Sequence, residues 1–298
     1  MNISSKKYSC ATDMTKPLSR VAFVGIPCDE RGEKAIIALR DNDVEIHVLT
    51  YDPETVALYI DDQRVECDDF ADLLRTFGDT FIFEATTLGT TELVLATKGA
   101  VAKKAISVSF WYVEPKSYKR PRLDRVIHAR DFELTREYIG FHAVPGFAYM
   151  LEHGVRQSVV FFLGFEGERL DQAFEQLPIH PRCASAVFGV PAFRPGWEVN
   201  SFANNARLLR EKGIGSSIYY CGANDPATTL RLLKKIYQEK PTDYRLFLAP
   251  IGTKPQSIGL SLFLADHDQV GFIYDHPIRG AGRSSGFGVW HVFDVDFE

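Results

Sequence analysis

The sequence predicts an α/β protein: two duplicated Rossmann-like units, each with a mainly parallel sheet, packed about a pseudo-twofold axis. Three pairs of segments, matching in one order, predict it. Val21-Ala22-Phe23-Val24-Gly25 leads into Glu30-Arg31 and a helical pattern with Ala35 and Leu39; Val159-Val160-Phe161-Phe162-Leu163-Gly164 leads into Glu168-Arg169 and a helix with Ala173 and Leu177. Phe81-Ile82-Phe83 runs into Leu88-Gly89-Thr90-Thr91, as Leu246-Phe247-Leu248 runs into Ile251-Gly252-Thr253-Lys254. Val108 to Val113 ends at Pro115, and Val270 to Asp275 ends at Pro277. A repeated α/β unit packed on its copy turns matching loops toward one shared cleft.

Taken in order, residues 1–19 are polar and read as a flexible lead-in, followed by a first repeat over 20–115. In it Val21–Gly25 is a buried strand, Gly32–Arg40 a helix and Val44–Leu49 a strand. Leu58–Val65 around Asp61-Asp62 is a small hairpin, and Cys67–Thr76 is a helix with acids suited to its first turn. Phe81–Glu84 is a strand, Thr91–Lys104 a helix and Ile106–Val113 a strand. Strands separated by helices of about ten residues imply βαβ units and a parallel sheet.

Residues 116–157 break the rhythm and read as a partly structured connecting segment, against the competing reading of a solvated basic face. It holds a basic run (Lys116, Lys119, Arg120, Arg122, Arg125), then Val126–Ala129 and a helical piece from Phe132 to Ile139. The second repeat, 158–298, has strands at Val159–Leu163, Ala184–Phe188, Ser216–Cys221, Tyr244–Leu248 and Val270–Tyr274. Its helices are Glu168–Leu177, Glu198–Glu211, Pro226–Gln238 with Asp225 as N-cap, and Pro255–Ala265. Val289–Val295 alternates as a final strand.

The bulk properties narrow the class. In 298 residues, 45 % hydrophobic and 24 % charged is the balance of a globular chain with a core in each half. A net charge of −5 argues against a protein that coats nucleic acid and against bulk duplex DNA as a partner. The 5 cysteines are scattered without a C-x-x-C pair, which speaks against a zinc site or a disulfide framework and suits a reducing cytoplasm. No apolar run of about 18 residues predicts a membrane span, and the polar N-terminus predicts no secretory signal. No metal or cofactor is expected.

Chemistry is expected at the carboxyl ends of the strands, where backbone N–H groups and helix dipoles favour an anion. In Gly252-Thr253-Lys254-Pro255-Gln256, glycine admits close approach, threonine caps, lysine supplies charge and proline fixes the first turn. The competing reading is a well-capped helix start with a surface lysine. Gly89-Thr90-Thr91 repeats the loop without the lysine. Arg31 and Arg169, the latter beside Glu168, offer planar forks for phosphate, against a competing ion pair within the helix. The glycine-rich stretch Tyr274 to Gly286 brings Arg279, Arg283 and Ser284, either as phosphate donors or as a mobile crossover. Arg194, Trp197, Asn200 and Asn204 form a comparable set, in which Trp197 stacks on a base or packs on the core. There is no G-x-G-x-x-G, Walker loop, G-x-S-x-G or H-E-x-x-H.

Two α/β units with a G-T-[KT] loop after an inner strand resemble the CRISPR-associated Rossmann fold (CARF) and its fused relatives, the SAVED domains. The resemblance spans about residues 20–115 and 158–288. It implies sensing of cyclic or linear oligonucleotide second messengers in prokaryotic antiphage immunity. It places ligand at Gly25 to Arg31 with Gly164 to Arg169, and at Gly89-Thr90-Thr91 with Gly252-Thr253-Lys254. The chain has no room for the effector domain such proteins carry, so a separate effector protein is the expected partner. Three functions follow as expectations: a sensor or regulatory subunit for a nucleotide-type anionic small molecule; a phosphodiesterase resembling ring nucleases, or a nucleoside-processing enzyme, acting through Lys254, Thr253 and the arginines; and a non-catalytic scaffold whose loops are only caps.

Overall fold

The computed structural model describes residues 1–119, 132, 134–151, 156–214 and 217–297. In chain order the elements are β1 (Asn2–Tyr8), β2 (Val21–Val24), α1 (Glu30–Asp41), β3 (Glu45–Asp52), β4 (Ala57–Ile60), β5 (Gln63–Val65), α2 (Phe70–Phe77), β6 (Thr80–Glu84), α3 (Thr90–Ala102) and β7 (Ser107–Tyr118). They continue with β8 (Thr135–Tyr138), β9 (Gln157–Leu163), α4 (Gly167–Gln176), β10 (Ala184–Gly189), α5 (Trp197–Lys212), β11 (Ile218–Cys221), α6 (Pro226–Glu239), β12 (Arg245–Pro250), α7 (Lys254–Ala265), β13 (Gly271–Phe272), β14 (Pro277–Arg279) and β15 (Ser284–Asp296). The chain divides into two compact units, Met1–Lys119 with Arg279–Glu298, and Arg120–Ile278. Among the described residues, no helix is long and apolar enough to cross a membrane.

In the first unit eight strands lie in the order β1-β15-β7-β6-β2-β3-β4-β5. The central four, β7-β6-β2-β3, are parallel; β15 joins β7 antiparallel, and β1 joins β15 antiparallel. Both faces of β2 are covered, which is why its four residues are all apolar and buried. Alternation sends Ala22 and Val24 to one face, with Trp111 and Val113 of β7 and with Ala35, Ala38 and Leu39 of α1. Phe23, Phe83 and Phe110 lie on the other, their ring centroids 5.7–6.0 Å apart.

The main sheet of the second unit has five strands, all parallel, in the order β11-β10-β9-β12-β13. Its core joins Val159, Phe161 and Leu163 of β9, Leu170 and Ala173 of α4, Phe188, Phe247 and Leu208. The order and direction β13-β12-β9-β10 repeat those of β7-β6-β2-β3 in the first unit. The α/β class, the hairpin around Asp61-Asp62 (β4–β5) and the Asp225 N-cap of α6, which accepts from Ala227 and Thr228 N–H at 3.0 and 3.2 Å, are as the sequence predicts.

Several expectations need correction. Residues 2–8 are a strand, not a flexible lead-in: β1 pairs along its whole length with β15, and Lys6 meets Asp294 at 3.0 Å. Its polar sequence hides this because an edge strand keeps both faces partly wet and lysine guards its open side. Within the helix expected over Phe132–Ile139, Thr135–Tyr138 is β8, paired with β14; its β-branched and aromatic ends suit a strand. The strand expected over Val270–Tyr274 shortens to Gly271–Phe272, and the expected final strand lengthens to the 13 residues of β15, which lies in the sheet of the first unit. Arg120, Arg122, Arg125, Val126–Ala129 and Ser216 lie outside the described residues.

Phe161, 1 % exposed in the core of the second unit, sets its stability. Phe161→Ala should cost about 3–5 kcal/mol in urea unfolding.

Candidate functional site

In each unit the chain leaves the first parallel strand, builds outward on one side, then crosses to the other. The reversal falls between β2 and β6 in the first unit and between β9 and β12 in the second. Loops that part at such a point leave a crevice at the carboxyl edge of the sheet, where α/β proteins bind ligands. Both loop pairs the sequence singles out stand there.

In the first unit the two loops touch through backbone. A Cβ on Gly25 would lie 2.4 Å from the Thr87 carbonyl oxygen, and Gly25 N–H donates to Thr87 Oγ1 at 2.9 Å. Glu84, fully buried, accepts from the N–H groups of Thr86 and Thr87 at 2.9 and 2.8 Å and from the Thr87 hydroxyl. Burial pushes its carboxyl up, against the pull of those donors. Gly89 caps α3, and Thr90 and Thr91 are buried in the first turn, 4 % and 1 % exposed. A Cβ on Gly89 would fall 2.0 Å from the Glu92 carboxylate, so the positive end of α3 already faces an anion of its own chain.

Three predicted ligand residues converge in this unit, on a residue that sequence reasoning missed. Asp29 Oδ2 accepts from Arg31 Nη2 at 2.7 Å, Arg31 Nε at 3.2 Å and Ser284 Oγ at 2.7 Å, with Arg283 Nε 4.0 Å away. Arg31 also donates to Ser284 Oγ and to the Val113 carbonyl, each at 3.0 Å, and is 2 % exposed. Burial alone would raise the Asp29 carboxyl; the Arg31 guanidinium, helped by Ser284 and Arg283, holds it below the usual range. The available signal was the spacing: an acid two positions before a helix-start arginine. Arg279 Nη1 donates to the Thr86 carbonyl at 3.1 Å.

In the second unit a Cβ on Gly164 would lie 2.8 Å from the Ile251 carbonyl oxygen, the same backbone approach. The Gly164 carbonyl accepts from Ser201 Oγ at 2.8 Å and Asn205 Nδ2 at 2.9 Å. Arg169 forms a fork on Asp275, Nε–Oδ2 2.7 Å and Nη2–Oδ1 2.6 Å, with Glu166 at 3.7 Å. The neighbouring Glu168 accepts from Tyr138 OH at 3.2 Å. Trp197 lies in an aromatic group, 5.9 Å from Phe165 and 6.1 Å from Phe132, with the Arg194 guanidinium 6.0 Å from its ring. Asn204 is fastened to the Phe165 carbonyl at 2.7 Å.

The loop 252–256 closes a reciprocal cap on α7. Gln256 N–H donates to Thr253 Oγ1 at 3.4 Å, Thr253 N–H donates to Gln256 Oε1 at 3.0 Å, and Thr253 Oγ1 donates to the Ala223 carbonyl at 2.5 Å. A Cβ on Gly252 would fall 2.3 Å from Gln256 Oε1, so a side chain there would displace the glutamine arm of the cap. Lys254 stands half-buried in the first turn. Thus Thr253 and Gln256 are occupied by capping, and Arg31, Arg169 and Ser284 by internal carboxylate networks.

Among the described residues no group of three or more His, Cys, Asp or Glu could hold a metal. The His291–Glu114 pair, Nε2–Oε1 2.7 Å, has its imidazole sealed at 0 % exposure, which denies it contact with a substrate. Two open hollows lie at the other, amino edge of the second sheet, one by Gln157, Cys183 and Lys240, one by Arg156, Tyr237 and Arg245; Lys240 Nζ there donates to the Tyr244 carbonyl at 2.6 Å. Comparison with protein-family models and with curated proteins finds no match.

Asp275→Asn leaves the buried Arg169 with only the more distant Glu166 carboxylate and should cost about 3 kcal/mol, whereas Thr253→Ala removes only a cap, about 1 kcal/mol; chemical denaturation separates the two. Asp29 sets a pH dependence. Its carboxyl is depressed in the fold, so its stabilisation is complete above the unfolded value of 3.8 and is lost as pH falls through the lower folded value. Asp29→Asn should therefore be much less stable than the parent at pH 7, with the gap closing in an acid titration below pH 3.8.

Proposed function

We propose that this chain is a nucleotide-binding sensor or regulatory protein that acts with a separate effector, and that its ligand site lies at the β9–β12 switch point around Gly252, Thr253 and Lys254. One observation carries the reading: a rigid, reciprocally capped helix start holds a half-buried lysine beside the crevice in which α/β proteins take anions. The repeated strand order favours descent of the two units from one duplicated Rossmann-like ancestor, which is also the basis of the likeness to CARF and SAVED proteins. Cyclic and linear oligonucleotides are therefore the first ligands to try. Arg31 and Arg169 take no part in this reading, since each is spent on a carboxylate.

The same occupancy favours a second reading, a scaffold whose loops serve only to cap helices. A thermal-shift panel of nucleotides and cyclic oligonucleotides, with product analysis of each hit, separates the readings. A ligand at 100 times its dissociation constant should add about 2.7 kcal/mol, and Lys254→Ala should abolish the shift. A ligand that is also consumed would make the chain an enzyme of the phosphodiesterase type. A flat panel would leave the scaffold.

A further inference from the structure

The first unit has the same kind of crevice, yet a segment from near the far end of the chain lies across it. Arg279 to Ser284 reaches both loops that flank the β2–β6 switch point. On the β6 side, Arg279 Nη1 donates to the Thr86 carbonyl at 3.1 Å. On the β2 side, Gly282 N–H donates to the Cys28 carbonyl at 2.8 Å and Ser284 Oγ to Asp29 Oδ2 at 2.7 Å. Lys119 N–H ties the segment to β7 through the Arg283 carbonyl, also at 2.8 Å. Gly282 takes φ +61, a left-handed turn that lets the chain double back between these tethers. Ala281 and Gly282 are exposed, whereas Ser284 is buried. The outer face of the segment is therefore in solvent and its inner face against the loops.

We infer that Arg279–Ser284 is a strap that closes the switch-point crevice of the first unit, latched by the hydrogen bond of Ser284 to Asp29, so that ligand reaches only the second unit while the latch holds. The charges around the latch are Arg31, Arg283 and Asp29, with Glu114 paired to His291 further along β7 and β15. Both guanidiniums thus face the one carboxylate of Asp29, which the chain itself supplies to the latch. This inference rests on the proposed function only in assigning ligand to the second unit; the closure itself is tested without any ligand.

The strap offers two independent readouts. Trypsin can cut after Arg283 only when the strap is lifted, and Cys28, half-buried beneath Gly282, reacts with a thiol reagent at a rate set by the same opening. Ser284→Ala, which removes the hydrogen bond to Asp29 and the one accepted from Arg31, should speed both by roughly tenfold or more. Arg279→Gln, which removes the tether on the β6 side and leaves the latch intact, should speed them less and serves as the second variant if Ser284→Ala fails to fold by circular dichroism. The inference is overturned if the parent is cut after Arg283 as fast as the denatured chain, or if folded variants show unchanged cutting and unchanged Cys28 labelling. A flat nucleotide panel with a slow, latch-dependent strap would sink the proposed function alone. Nucleotide binding by a chain whose strap is already open would sink the strap alone.

Discussion

Near the start of the first helix of each α/β core stands a buried arginine that must be neutralised where it stands. Arg31 and Arg169 are 2 % and 6 % exposed. A guanidinium cannot shed its charge, and burying it unpaired costs several kcal/mol. Each unit therefore brings a carboxylate to the arginine, and the loops follow the carboxylate. In the first unit Asp29 turns the β2–α1 loop inward and draws in Ser284, so β15 must begin where it does. In the second, Asp275 pins the loop after β13 to α4, and Tyr274 lies 5.9 Å from the same guanidinium. The geometry of both carboxyl edges depends on these two ion pairs.

The same residues look from sequence like phosphate ligands, and the reason is physical. A fork of N–H donors beside a hydroxyl on a glycine-rich loop suits any oxyanion, and a carboxylate is one. What separates a ligand site from a structural latch is whether the chain supplies the anion itself. At Arg31 and Arg169 it does. At Gly89 the Glu92 carboxylate does so for a helix end. The turn that carries Lys254 is capped by neutral groups, Thr253 and Gln256, rather than by a carboxylate.

Much of the fold was legible because buried parallel strands are short apolar runs and their helices carry a clear period. Val21–Val24, Phe81–Glu84 and Val159–Leu163 could be read directly. The edges could not. Asn2–Tyr8 pairs through its backbone and so leaves little apolar pattern, and β8 is four residues paired with an equally inconspicuous partner. In the candidate site the loops were legible because glycine is required where backbones meet, as at Gly25 and Gly164. The partners of the arginines were not, since Asp275 lies 106 positions from Arg169 and Ser284 lies 253 from Arg31. No local pattern encodes a contact at such a distance.

The first unit is closed by strands from both ends of the chain, with β1 and β15 paired to each other and β15 to β7. On the ribosome, this arrangement fixes a sequence of events. All five strands of the second unit's parallel sheet have emerged before β15, so that unit can collapse on its own contacts while β7 still presents a bare edge. The sheet of the first unit is finished only when β15 has emerged, and β1, made long before it, waits for β15 to find its place. Until then the unpaired edge of β7 is a surface that a chaperone would have to shield.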